Sequence, residues 1–390
     1  MTSGTIATSL FSVQAFTELL GKTSGDVMTA LVPRRARRLA SLAEALLTPH
    51  GMDRYLELVD PMLVRREIRG LVTDVRRQTP DTVTLTIRPS RAWRGFVAGQ
   101  YVRVTVEIDG VRRTRCYSPA GSEHDGTLEL TIKADPQGLV SRHLNRTVTI
   151  GSVLGLSTPD GEFTLPSPRP RRILLLSGGS GITPVLSMLR TLADERHEGD
   201  VAFLHYSNGA DDALYRAELA DLARRLPGLR VVHAFTHAKT GGDLHGFFSK
   251  EHLAEAAPWY PDAETFLCGP KPLMDSVREA FEADGLGAHL HTEEFTPPAL
   301  TFDTESAEGQ VRFARSGREF ENSGKPLLEQ AEDAGLRPEH GCRMGICFSC
   351  TQVKTSGCVR NAKTGETSSE ENEEIQLCIS VPVGDVEINA

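Results

Sequence analysis

Cys342, Cys347, Cys350 and Cys378 follow the spacing C-x4-C-x2-C-x27-C, three of them inside the stretch HGCRMGICFSC at residues 340–350, in a chain with seven cysteines altogether. Four thiols spaced this way have to converge. A short loop wraps three of them around one side of a centre only if its backbone folds back sharply, and Gly341 and Gly345 allow that because glycine reaches positive φ without steric cost. Their N–H groups are then free to point inward. The fourth thiol must arrive on a separate strand, and Cys378, within IQLCISVPV, is placed to do so.

The spacing is that of a plant-type 2Fe–2S cluster, which passes one electron at a time at about −400 mV. Zinc is the alternative, but structural zinc sites pair their ligands as C-x2-4-C twice, which fits less well. Cys358 falls outside the pattern and reads as a structural thiol. An N-terminus without the order of basic, apolar and small residues of a secretory signal points to a reducing cytoplasmic setting, where clustered thiols are ligands.

A length of 390 residues predicts two to four domains. No run approaches the roughly 20 apolar residues of a membrane span. A net charge of −9 argues against a nucleic-acid partner. Residues 1–65 read as a helical extension. Arg34, Arg35, Arg37 and Arg38 in VPRRARRLASLAEALLTPH suit either a solvated helix face or peripheral contact of residues 28–65 with anionic lipid at the inner face of the membrane.

Over residues 66–166 the period becomes two, in GLVTDVRRQTPDTVTLTIRPS, GQYVRVTVEIDGVRRTRCYSPAG and GTLELTIKADPQG, which predicts an antiparallel β-barrel. SPRPRR is a linker. Residues 169–295 alternate strand and helix patterns and predict an α/β domain with a parallel sheet. Residues 303–390 form a small mixed domain around the cysteine loop. The fold class is therefore α+β multidomain.

Weaker signals lie between. RCYS ends a barrel strand, where Arg115 offers a forked donor to a phosphate and Tyr117 a flat face to a ring system. Gly138 and Ser141 in GLVSRHL open a helix able to face a pyrophosphate, or they simply cap it. LLLSGGSGITPVLSML is a strand, a glycine turn and a helix, with Pro184 in the first turn. FLCGP is a second strand end, and both turns belong at carboxyl ends of parallel strands, where ligands bind. Cys268 is expected at such a turn, with a buried strand residue of no further role as the alternative.

Taken in order over residues 68–390, these motifs resemble the ferredoxin–NADP reductase superfamily, in its oxygenase and desaturase reductase branch with a C-terminal plant-type ferredoxin domain of β-grasp type. The resemblance implies FAD in the barrel, contacted by Arg115, Tyr117 and Ser118, with Lys133, Gly138, Leu139, Val140 and Ser141 about its phosphates. It places Gly179, Gly181, Ile182, Thr183 and Pro184 on the nicotinamide nucleotide, and Cys268, Gly269 and Pro270 beside the nicotinamide ring. Glu293, Glu294 and Phe295 match the residues beside the flavin, and Ser118, Cys268 and Glu294 are expected at the reacting atoms. NADPH is the expected coenzyme, NADH the alternative, with Ser207 and Arg216 receiving the 2′-phosphate. The expected electron acceptor is a membrane acyl desaturase, as in actinobacterial reductases of this kind, with an oxygenase, monooxygenase or cytochrome P450 as alternative. A cluster-bearing carrier or sensor without catalysis is the reading of another class.

Overall fold

The computed structural model describes residues 57, 59–64, 67–295, 307–341, 343, 345 and 348–390. The expected N-terminal helices, the linker after Phe295, Cys342 and Cys347 lie outside the described residues. Asp60–Ala390 pack as one unit.

Six antiparallel strands come first: β1 (Ile68–Thr79), β2 (Thr82–Pro89), β3 (Val102–Ile108), β4 (Val111–Tyr117), β5 (Leu128–Lys133) and β6 (Val153–Leu156), in the order β4-β3-β6-β1-β2-β5. Alternation makes the core: Val102, Val104 and Val106 of β3 point inward with Leu128, Leu130 and Ile132 of β5. The sheet curls so far that its edges touch, Pro119 just past β4 bridging to Leu130 of β5. Helix α1 (Leu139–Arg146) closes one side, burying Val140 and Leu144.

The second sheet is wholly parallel. Strands β7 (Arg172–Gly178), β8 (Asp200–Ser207), β9 (Leu229–Phe235), β10 (Leu244–His245), β11 (Glu264–Cys268) and β12 (Leu290–Glu293) run in the order β10-β9-β8-β7-β11-β12. β7 is a continuous apolar run, Ile173 to Leu176, because helices cover both faces. One face packs on α2 (Ile182–Asp194) and α3 (Arg216–Arg225), the other on α4 (Lys250–Ala256) and α5 (Lys271–Ala283). The chain steps outward from β7 to β10 and then returns to lay β11 on β7's other side, so strand order reverses between β7 and β11.

The third sheet is mixed: β13 (Gln310–Phe313), β14 (Arg318–Glu321), β15 (Thr351–Asn361), β16 (Thr367–Ser368), β17 (Glu373–Gln376) and β18 (Ser380–Ile388). β13 and β18 are parallel, and the other pairs are antiparallel. Helix α6 (Leu327–Asp333) buries Leu327, Leu328 and Ala331 against it.

Polar contacts tie the first two sheets together. Arg190 of α2 donates to the carbonyl of Ala120 at 2.7 Å and pairs with Glu129 of β5 and Glu218 of α3 at 2.8 and 2.6 Å. Arg169 in the linker reaches Glu123 and Glu195 at 3.1 and 2.7 Å.

Candidate functional site

The reversal between β7 and β11 puts two loops side by side at the carboxyl ends of strands, the place where open α/β sheets bind ligands. Glycine is required there partly for packing: a Cβ on Gly181 would stand 2.3 Å from the carbonyl oxygen of Cys268. Gly179 has φ +54 and open space where its Cβ would be. These loops border a cavity of about 470 Å³ that continues past the ends of β8 and β9, lined among others by Gly178, Gly179, Ser180, Ser207 and His237. Its size and exposed backbone fit a dinucleotide.

In register across the sheet, Ser177 of β7, Cys268 of β11 and Glu293 of β12 form one row. The Ser118 hydroxyl, just past β4, donates to the Glu293 carboxylate at 3.2 Å, joining barrel and nucleotide sheet. Burial raises the Glu293 carboxyl to about 8, although the Ser118 bond opposes the rise. Near neutrality this group holds its proton. Burial also pushes the Cys268 thiol up, with Glu293, once ionised at higher pH, and Glu294 adding to the rise, so Cys268 stands as a neutral thiol and not a nucleophile. Behind Ser177, His205 Nδ1 lies 2.9 Å from its hydroxyl, and burial pushes that imidazole down to about 3.

The third centre is built where β15 and β18 begin. Cys350 and Cys378 are buried, and the Cys378 backbone N–H donates to the Cys350 sulfur at 3.4 Å, an interaction that favours a thiolate. Gly345 has φ +69, and a Cβ there would meet Ile379 Cδ1 at 2.6 Å, so the loop lies directly on the segment carrying Cys378, which is the short turn between β17 and β18 and not the strand expected from the sequence. Arg343 and Phe348 also take positive φ, and the turn therefore demands more left-handed backbone than its glycines alone supply. The donor set fits a cluster of iron and sulfide. Arg115, at the end of β4, donates to the carbonyl of Gly341 at 2.5 Å, which brings this loop to the barrel.

Comparison with known proteins agrees with all three centres. Residues 70–165 match the oxidoreductase FAD-binding domain, 175–279 the oxidoreductase NAD-binding domain and 311–383 the 2Fe-2S iron-sulfur cluster binding domain. An NADPH oxidoreductase of Mycobacterium tuberculosis is 37% identical over 357 residues, 89% of this chain and 90% of the relative. The chain belongs to the ferredoxin–NADP reductase-like flavoprotein reductases. A glycine betaine monooxygenase reductase subunit of Pseudomonas aeruginosa is 33% identical over 75% of the chain and 87% of its own length. The solved structure of phthalate dioxygenase reductase shares the fold, with TM-score 0.54 and 24% identity over 83% of this chain and 97% of that one. The protein is thus an NAD(P)H-dependent oxidoreductase that uses FAD and a 2Fe–2S cluster to deliver electrons to a partner redox enzyme.

Several expected positions shift in the reductase. Glu294, expected at the reacting atoms, pairs with Arg278 of α5 at 2.5 Å, and it is Glu293 that meets Ser118. The side chains of Ile182 and Pro184 are buried in the core beneath the glycine turn, and the Thr183 hydroxyl donates to Ser180, so the cavity meets Gly178 to Ser180 instead. Lys133 borders the nucleotide cavity and pairs with Asp81 at 3.4 Å. Arg216 is not in the cavity lining; it donates to Gly241 and sits over the Phe235 ring. Val140 is core, Leu139 is exposed, and the Ser141 hydroxyl accepts from Asp135 at 3.2 Å, with Gly138 as the cap of α1. Tyr117 packs on the barrel core, Gly269 and Pro270 follow β11, and Phe295 is 40% exposed beyond β12. Ser177, His205, His237 and Phe247 carried no sequence signal. Glu123, His124 and Glu195 converge as metal ligands do, but the Arg169 guanidinium already bonds both carboxylates.

Proposed function

We propose that this reductase takes hydride from NADPH and hands single electrons to a separate oxygenase-type enzyme. The observation that carries the reading is the Arg115–Gly341 bond, which sets the cluster loop against the strand end expected to face the flavin. When bound, the flavin accepts a two-electron hydride and the cluster releases electrons singly. The chain's own part is position and protonation. Gly179 and Ser180 offer backbone to the coenzyme, Cys268 walls its nicotinamide end, and Ser118 with Glu293 holds a proton at the meeting point of barrel and sheet.

The name of the Pseudomonas relative, a monooxygenase reductase subunit, supports an oxygenase acceptor. An oxygenase therefore replaces the membrane acyl desaturase as the acceptor we propose. No helix among the described residues is long and apolar enough to cross a membrane, and a cytoplasmic site of action is part of the proposal. Supplying the reductase and NADPH separately to a purified oxygenase component and to a desaturase tests it. Product formed in step with NADPH consumed is expected with the oxygenase; turnover confined to the desaturase would overturn the assignment.

A further inference from the structure

We propose that His237, standing against Phe247, is the residue that selects between the 2′-phosphate of NADPH and the 2′-hydroxyl of NADH. The inference rests on the nucleotide cavity and is independent of the electron acceptor.

Beyond the glycine turn the cavity ends among the termini of β8 and β9 and the loop after β10, where Ser207, Asn208, Asp212, Thr236, His237 and Phe247 meet. Phe247 is 72% exposed at this end. Its ring and that of His237 meet edge to face, centroids 5.7 Å apart at 81°. A large aromatic face left open at a cavity wall offers a stacking platform for a base. That places the adenosine half of the dinucleotide here, and its ribose among the polar groups beside the platform.

The polar groups there differ in what they have left to give. The Ser207 hydroxyl donates to the Gly209 carbonyl at 3.2 Å, and the Asn208 amide donates to Asp212 at 2.5 Å. Arg216 is turned to Gly241 and Phe235. Lys133, also on the cavity, pairs with Asp81. Asp212 presents a carboxylate, which repels a phosphate and accepts from a hydroxyl. His237 Nδ1 lies 2.9 Å from the Thr236 hydroxyl, and that hydroxyl is anchored in turn near the Ser207 carbonyl at 3.2 Å. The ring is thereby oriented by Nδ1 while no described residue bonds its Nε2. The Thr236 hydroxyl gives its one proton to the Ser207 carbonyl and so accepts from Nδ1–H; Nε2 is then a donor to a 2′-phosphate in the doubly protonated ring, whose positive charge pairs with the phosphate that Asp212 repels.

Ferricyanide reduction measured with NADPH, NADH and reduced nicotinamide mononucleotide decides the matter on the holoprotein. For His237→Asn, which retains a hydrogen-bonding group for Thr236, the ratio of kcat/KM for NADPH to that for NADH is expected to fall about tenfold, as for loss of one charge-assisted bond. Asp212→Asn should move the ratio the other way. Phe247→Ala is expected to raise KM for both dinucleotides by the same factor and to leave kcat/KM for the mononucleotide, which has no adenosine, at the wild-type value. An unchanged ratio in His237→Asn, or a loss with the mononucleotide in Phe247→Ala, would overturn the proposal. So would a collapse of the ratio in Arg216→Ala alone.

Discussion

At the scale of single residues the decisive group is Glu293. Its carboxyl is largely withdrawn from water, with no cation paired to it among the described residues, and keeps its proton up to about pH 8, whereas in the unfolded chain it ionises near the ordinary 4.5. Folding therefore takes up a proton between these values, and stability falls as pH rises through that window. Glu293→Gln, neutral throughout, is expected to match the wild type near pH 5 and to exceed it at pH 8 in urea unfolding; parallel pH profiles for the two proteins would show that the carboxyl does not carry this burden. Which of two adjacent glutamates does so was not legible in EEF. Side chains alternate along β12 and its exit, so one residue's shift moves a carboxylate from Ser118 to Arg278, and only the register of β12 on β11 decides. The cysteine spacing was legible because a cluster imposes its own geometry on the chain.

Among elements, the junctions matter more than the strands. The β7 and β11 turns fit because Gly181 has no side chain. Gly181→Ala is expected to force the Cys268 carbonyl away, lowering stability by about 1–3 kcal/mol and raising KM for the coenzyme. Differential scanning calorimetry and steady-state kinetics read both. Arg190 is the corresponding device between barrel and sheet, its side chain 13% exposed between two carboxylates. Arg190→Met leaves Glu218 without this cation and Glu129 with Arg76 at 3.7 Å, and is expected to lower unfolding free energy by about 1.5–3 kcal/mol, measured by urea titration. Strand and helix patterns in the sequence located the three sheets well, since period two and continuous apolar runs report directly on one-sided and two-sided burial. They missed these junctions. Arg190 reads from sequence as an ordinary helix charge, and Arg216 as a phosphate ligand, whereas the chain turns at the cap residue Tyr215 with φ +58 and opens α3 with Arg216 directed to Gly241.

Over the whole molecule, the route we propose for electrons runs from the cavity beside β7, past Ser118 and Glu293, to the loop that Arg115 touches. Sequence motifs named each station, because glycine turns and thiols are local requirements. The contacts between stations join residues far apart in the chain, Ser118 with Glu293 and Arg115 with Gly341, and no local pattern encodes them. In the proposed function, flavin reduction and cluster reduction are separate steps in series. Rapid mixing of Cys378→Ala with NADPH tests it, flavin bleaching and cytochrome c reduction being followed together. Bleaching at close to the wild-type rate with cytochrome c reduction abolished is expected; loss of both to the same extent in folded, flavin-loaded protein would contradict it.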